Sequence, residues 1–273
     1  MKDLAEQVAI LRRDGRLGGT PTALVIAEDD VALQETITHV LGRGFGQVLV
    51  ALPAGIEMDC TDAAMLRAPT EGPGCTEALV NAVLSALPSG TWLHYCYNAE
   101  FLIHPFGETR RITEMLEFHA SERRSAMATL IVDLFARDLG THPNGVDLDR
   151  PAFDRTGYFQ NDGTIQGGLR WRHAPDIPPN QQRLDRYSLV QAKPGLHLGP
   201  DHTWSDPELN TLSCPWHRNL TASIASFRAA KALTKAPGPG SRITSFDWPG
   251  AKTFDWTSGQ LLDAGFMEVG QWF

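Results

Sequence analysis

Apolar positions along the first half of the chain follow two alternating spacings. Leu4, Val8 and Leu11 recur at helical intervals, and Gly15, Gly18 and Gly19 follow them. That predicts a leading helix and a loop over residues 1–20. The run Thr22-Ala-Leu-Val-Ile-Ala27 is of strand length. Leu33, Ile37, Val40 and Leu41 then return to the helical period, with Asp29 or Asp30 placed to cap that helix. Gln47-Val-Leu-Val-Ala-Leu52 is a second apolar strand. A strand, a helix and a strand with short connections predict a parallel pair. The pattern continues with a helix over 77–87, a strand over 91–97, an amphipathic helix over 110–119 and a strand over 127–135.

The second half changes character. Residues 142–200 are rich in Gly, Pro, Asn and Asp, with only short strand runs at 167–172 and 187–192. Long connections of this kind usually line a site. A helix is expected over 219–233, with Ile224, Phe227 and Ala230 as its inner face, and a last one over 257–264. Together these patterns predict one α/β domain over residues 1–273, with a mixed, mostly parallel central sheet flanked by helices. Residues 21–140 would form its sheet-rich half and residues 141–273 its loop-rich half.

Composition narrows the function classes. Apolar residues are 42% of the chain and charged residues 21%, values that suit a packed core. The net charge of −8 argues against binding nucleic acid through its phosphates. No apolar run approaches the roughly 20 residues of a membrane helix, and the charged N-terminus has no secretory pattern, so a cytoplasmic location is expected. Cys60, Cys75, Cys96 and Cys214 are scattered, with no C-x-x-C pair, so idle thiols are expected rather than disulfides or zinc. The chain has no phosphate-binding G-x-x-x-x-G-K loop, no G-x-S-x-G elbow and no H-E-x-x-H. Gly42-Arg-Gly44-Phe-Gly46 has the wrong spacing for a dinucleotide loop and falls between a helix and a strand.

Four collinear stretches do resemble a known family. They are Ala23-Leu-Val-Ile-Ala-Glu-Asp-Asp30 with His39, Gly44-Phe45 and Val48-Leu-Val50; Trp92-Leu-His-Tyr-Cys-Tyr-Asn-Ala-Glu-Phe-Leu102; Glu108-Thr-Arg-Arg111 through Met127-Ala-Thr-Leu-Ile-Val-Asp-Leu134; and Gln166-Gly-Gly-Leu-Arg170, Cys214-Pro-Trp-His217 and the C-terminal Leu262-Asp-Ala-Gly-Phe-Met267 and Gly-Gln-Trp-Phe273. In this order they resemble the glycosyltransferase family 2-like proteins, which have the GT-A fold. The resemblance implies a nucleotide-diphosphosugar donor, a glycan or other hydroxyl acceptor, and Mn²⁺ or Mg²⁺ at an acidic D-x-D segment. A metal or preorganised cations would stabilise the leaving diphosphate, and a carboxylate would take the acceptor proton.

The resemblance also shows a departure. The acidic pair of the D-x-D segment falls on Tyr97 and Ala99, and only Glu100 keeps a carboxylate. Three outcomes stand open: metal binding is lost, Glu100 serves as the replacement ligand, or the chain is an inactive member that only binds. His217 matches a late metal-contacting histidine, and its plain alternative is an ordinary histidine at a helix entrance. Donor contacts fall on Glu28, Asp29, Asn98, Gly167, Gly168, Arg170 and Arg172. The two arginines could grip a diphosphate as forks in place of a metal, or they are solvated strand residues. Asn98 could equally be a turn residue, and helix capping alone would account for one of the acids at 28–30. The general base would be Asp162, Asp176 or Asp201, with Glu100 as a further catalytic candidate. Trp204 and Trp216 could stack on a ring or belong to the core. A methyltransferase would want glycines directly after the first strand, where Ala27-Glu-Asp-Asp30 stands.

Overall fold

The computed structural model describes residues 3–154, 165–166, 169–170, 185–200, 202–210, 219–235, 244–247 and 249–273. In chain order the first half reads α1 (Leu4–Arg13), β1 (Thr22–Ile26), α2 (Leu33–Arg43), β2 (Gln47–Leu52), β3 (Ala64–Arg67), α3 (Cys75–Ala86), β4 (Trp92–Tyr97), β5 (Glu100–Ile103), α4 (Ile112–Ser121) and β6 (Ala126–Phe135). The second half reads β7 (Ala152–Phe153), β8 (Ile165–Gln166), β9 (Leu169–Arg170), β10 (Arg186–Gln191), a 3₁₀ turn (Pro207–Asn210), β11 (Ala222–Ser226), α5 (Arg228–Lys235), β12 (Lys252–Thr253) and α6 (Ser258–Asp263).

The sheet runs β3-β2-β1-β4-β10-β6-β7-β12, and β11 joins β6 to β5. The β3-β2-β1-β4 block is parallel throughout. β10 enters antiparallel between β4 and β6, so the other half of the sheet is mixed. β11 pairs parallel with β6 and antiparallel with β5. The fold is therefore α/β with a central sheet that is parallel on one side, mixed on the other and flanked by helices.

Strands buried on both faces must be apolar at every position, and β1 is: all five of its residues are buried. Its alternate side chains enter opposite layers. Leu24 and Ile26 pack with Val8 of α1 and Leu79, Val80 and Val83 of α3. Ala23 and Val25 pack with Ile37 and Val40 of α2 and Met115 and Leu116 of α4. A third cluster joins Phe101, Val132, Phe227, Phe254, Leu261 and Phe266 beneath α6.

Two expectations are corrected. Residues 222–226 form a strand, and the helix begins only at Arg228. Ala-Ser-Ile-Ala-Ser is small and buried at every position, so its apolar spacing could not separate strand from helix. The start of α2 also differs. Its N-cap is Ala32, at a left-handed φ of 53°, with no side-chain cap. Asp29 instead accepts from the Val31 N–H at 3.1 Å, ahead of the helix. Of the cysteines, Cys60, Cys75 and Cys96 are free thiols, and no described helix is long and apolar enough to cross a membrane.

Candidate functional site

The chain leaves β1 toward β2 and β3 on one side and returns through α3 to β4 on the other. That reversal lies between the ends of β1 and β4, where open parallel sheets place their ligand crevice. A crevice of about 720 Å³ opens beside it, at the ends of β1, β2 and β3. Leu52, Pro53, Ala68 and Pro69 supply apolar walls, and Glu28, Asp29, Asp30 and Glu71 bring carboxylates to it. Arg67 and Thr70 also line it. The Thr70 hydroxyl is buried and finds no partner among the described residues.

Behind the crevice, the turn from β4 to β5 is fastened to the turn after β1. The Asn98 side-chain oxygen accepts from the Glu28 N–H at 2.8 Å. Its amide nitrogen donates to Asp29 at 2.6 Å and to the Val31 carbonyl at 2.9 Å. Asn98 is fully buried and shapes the wall rather than facing the opening. Ala99 takes a left-handed φ of 61°, with its N–H held by the Thr36 hydroxyl at 2.9 Å. Tyr97, Asn98 and Ala99 do not line the crevice; of the three, Asn98 bonds to residues that do.

Ion pairs fill this region. Arg228 holds both carboxylate oxygens of Glu28, at 3.0 and 2.5 Å, and its guanidinium carbon lies 3.5 Å from the centre of the Tyr97 ring. Asp29 sits between Lys231 and Lys235, each 2.7 Å away. Burial pushes the Asp29 carboxyl upward, but the two lysines outweigh it and hold the group at about 2. Behind Tyr97, the carboxylate of Glu100 is buried and gripped by Arg186. It also accepts from the Tyr97 N–H at 2.9 Å and from the Ser226 hydroxyl at 3.2 Å. Burial opposes the charge on Glu100, yet Arg186 and Arg228 keep its pKa below the usual range. The Arg186 guanidinium rests near two rings, 5.4 Å from Tyr95 and 5.3 Å from Tyr97. The Tyr97 hydroxyl meets Thr76 at 2.8 Å.

Glu28, Asp29, Asn98 and Glu100 are thus brought together, while the other candidates cannot be placed beside them. Asp162, Gly167, Gly168, Arg172, Asp176, Asp201, Trp216 and His217 lie outside the described residues, as does the side chain of Arg170. Trp204 is buried, donates to the Tyr187 carbonyl at 3.1 Å and packs edge-on to Tyr95, so it belongs to the core. Arg186, Arg228, Lys231 and Lys235 are the site cations that sequence reasoning missed. Arg228, Lys231 and Lys235 did carry a signal, since spacings of three and four put them on one helix face. Arg186 carried none: its partner Glu100 is 86 positions away. No family model matches the chain, and no curated protein matches it significantly.

Proposed function

We propose that the chain is a glycosyltransferase-like protein of the GT-A kind, taking a nucleotide-diphosphosugar in the crevice at the ends of β1–β3 and transferring the sugar to an acceptor hydroxyl. The observation that carries the reading is the position of the Tyr97-Asn98-Ala99 turn. Tyr97 ends β4 at the switch point, and Asn98, the middle residue of the segment that aligns with the D-x-D, bonds directly to the crevice residues Glu28 and Asp29. In the reaction the acceptor oxygen attacks the anomeric carbon, the bond from that carbon to the distal phosphate breaks, and the nucleoside diphosphate leaves with the electron pair. A carboxylate takes the acceptor proton; Asp162 and Asp201 are the candidates. Glu100 is not positioned for that task, because Arg186 and Ser226 occupy it within the core. Arg170 and Arg172 remain candidates for the diphosphate.

One observation favours a second reading, a binding protein without turnover. Ala99 offers no carboxylate and Glu100 is already engaged, so the chemistry that normally assists the leaving group is reduced. A thermal-shift screen of nucleoside diphosphates and their sugar conjugates tests the shared claim, since a ligand of the native state raises the melting temperature. Failure of every diphosphate to do so would remove both readings. Release of free sugar or a transferred product from a binding conjugate would select the transferase, and binding without turnover the second reading.

A further inference from the structure

Resting on that reading, we propose that the crevice holds its diphosphate ligand without a divalent cation, with Arg228 and Lys235 on α5 supplying the positive charge and Lys231 positioning it. The metal that the family resemblance implies does not fit the described residues. Mg²⁺ and Mn²⁺ need oxygen ligands, chiefly carboxylates with free lone pairs. At the β4–β5 turn, Ala99 has no oxygen in its side chain, and the Tyr97 hydroxyl is bonded to Thr76. Glu100 is 1% exposed and closed off by Arg186, Ser226 and the Tyr97 N–H. Glu28 gives both oxygens to Arg228. Asp29 gives one to Lys231 and the other to Lys235. Asp30 and Glu71 are exposed at the rim. Among the described residues, no group of three or more His, Cys, Asp or Glu side chains is arranged to hold a metal.

The charges at the site balance: the carboxylates of Glu28, Asp29, Asp30, Glu71 and Glu100 stand against the cations of Arg67, Arg186, Arg228, Lys231 and Lys235. Glu28 and Asp29, the carboxylates nearest the turn, are already neutralised by α5. The cations differ in access. Lys231 is 4% exposed and fixes Asp29 in place, while the side chains of Arg228 and Lys235 are 34% and 61% exposed. Lys235 can exchange one oxygen of Asp29 for a phosphate oxygen without stranding that carboxylate, because Lys231 stays paired with it. The Arg228 guanidinium lies over the Tyr97 ring, and its Nη1 stands outside the Nε–Nη2 fork that holds Glu28, where it can meet a phosphate oxygen.

Isothermal titration of the full chain with UDP, GDP, CDP and ADP, each in EDTA and in Mn²⁺, tests this. The expected result is that the diphosphate which binds does so with a Kd equal within about twofold in the two buffers, and that Lys235→Glu weakens it roughly tenfold, about 1.4 kcal/mol. Lys235→Ala, with no reversed charge, should give a smaller loss in the same direction. Binding that requires Mn²⁺, or that Mn²⁺ tightens about tenfold or more, overturns the inference and leaves the proposed function standing. Binding unaffected by either Lys235 variant also overturns it. Failure of every diphosphate to bind in both buffers overturns the proposed function itself, and this inference with it.

Discussion

Two guanidinium–carboxylate pairs share one tyrosine, and they do different work. Arg186 and Glu100 meet behind the Tyr97 ring, with side chains only 7% and 1% exposed. Arg228 and Glu28 meet on its crevice side, with 34% and 24% exposed. The first pair is locked. Water cannot replace either partner, and the remaining Glu100 contacts come from Tyr97 and Ser226. The second pair borders an opening and can trade partners. A buried pair is costly to break yet adds little over a well-packed apolar replacement; a pair in reach of solvent is cheaper to break and free to meet a ligand. Burial, more than pairing itself, sorts these charges into scaffold and site.

The largest expected effect comes from acid, which tests whether the pairs or the buried imidazoles fail first. Burial holds His39 and His119 down at about 4 and His94 at about 3. A histidine whose folded pKa is depressed contributes stability in full above its unfolded value near 6.5. It loses that stability as pH falls toward the folded value. Stability should therefore fall from about pH 6.5 downward, by about 1.4 kcal/mol per pH unit for each histidine that gains its proton only on unfolding. The paired Asp29 gives way later, its contribution present above about 4 and lost as pH falls through about 2. Urea unfolding across this range checks the order; stability flat from pH 7 to 5 would contradict it. His119→Gln should flatten the upper part of the slope.

Next in size is the locked pair. Arg186→Ala leaves Glu100 charged and buried, and should cost about 3–5 kcal/mol in urea unfolding. The double change Arg186→Met with Glu100→Leu should recover most of it, since apolar groups of similar volume replace a buried pair well. A cost of Arg186→Ala below about 1 kcal/mol would mean that water reaches Glu100 and that the contrast between the pairs is false. Arg228→Ala should cost less, about 1–2 kcal/mol, because Glu28 can turn to solvent. Lys235→Ala comes last, at no more than about 1 kcal/mol of stability, as expected of an exposed ion pair. Its effect should appear in ligand affinity.

The parallel half of the sheet was legible because its strands are continuous apolar runs separated by helices of clear period, as Thr22–Ile26, Leu33–Arg43 and Gln47–Leu52 show. β3, β5 and β11 were not. Glu100–Ile103 opens on a charged residue, and β11 is made of Ala and Ser, whose burial depends on what packs over them. The acids Glu28 and Asp29 could be placed as well, because they follow a legible strand; Glu100, expected as a catalytic or metal residue, lies in the core with Arg186 instead. The cation side was hidden by distance along the chain: Arg228 meets Glu28 across 200 positions and Lys235 meets Asp29 across 206. Local spacing cannot report such pairings, although the common face of α5 could have been noticed.

The bend at position 99 has a consequence for engineering. Its backbone is clamped by neighbours: the Asn98 N–H reaches the Ile26 carbonyl, the Ala99 N–H reaches Thr36, and the Phe227 N–H reaches the Ala99 carbonyl. None of those clamps uses the methyl group of Ala99. Glycine would adopt its positive φ at lower conformational cost than alanine does, whereas a polar or charged side chain would be buried in the apolar cluster of Phe101, Val132 and Phe227 that encloses Ala99. The hairpin is thus a socket whose backbone course is set by its surroundings and whose packing holds position 99 to a small apolar residue.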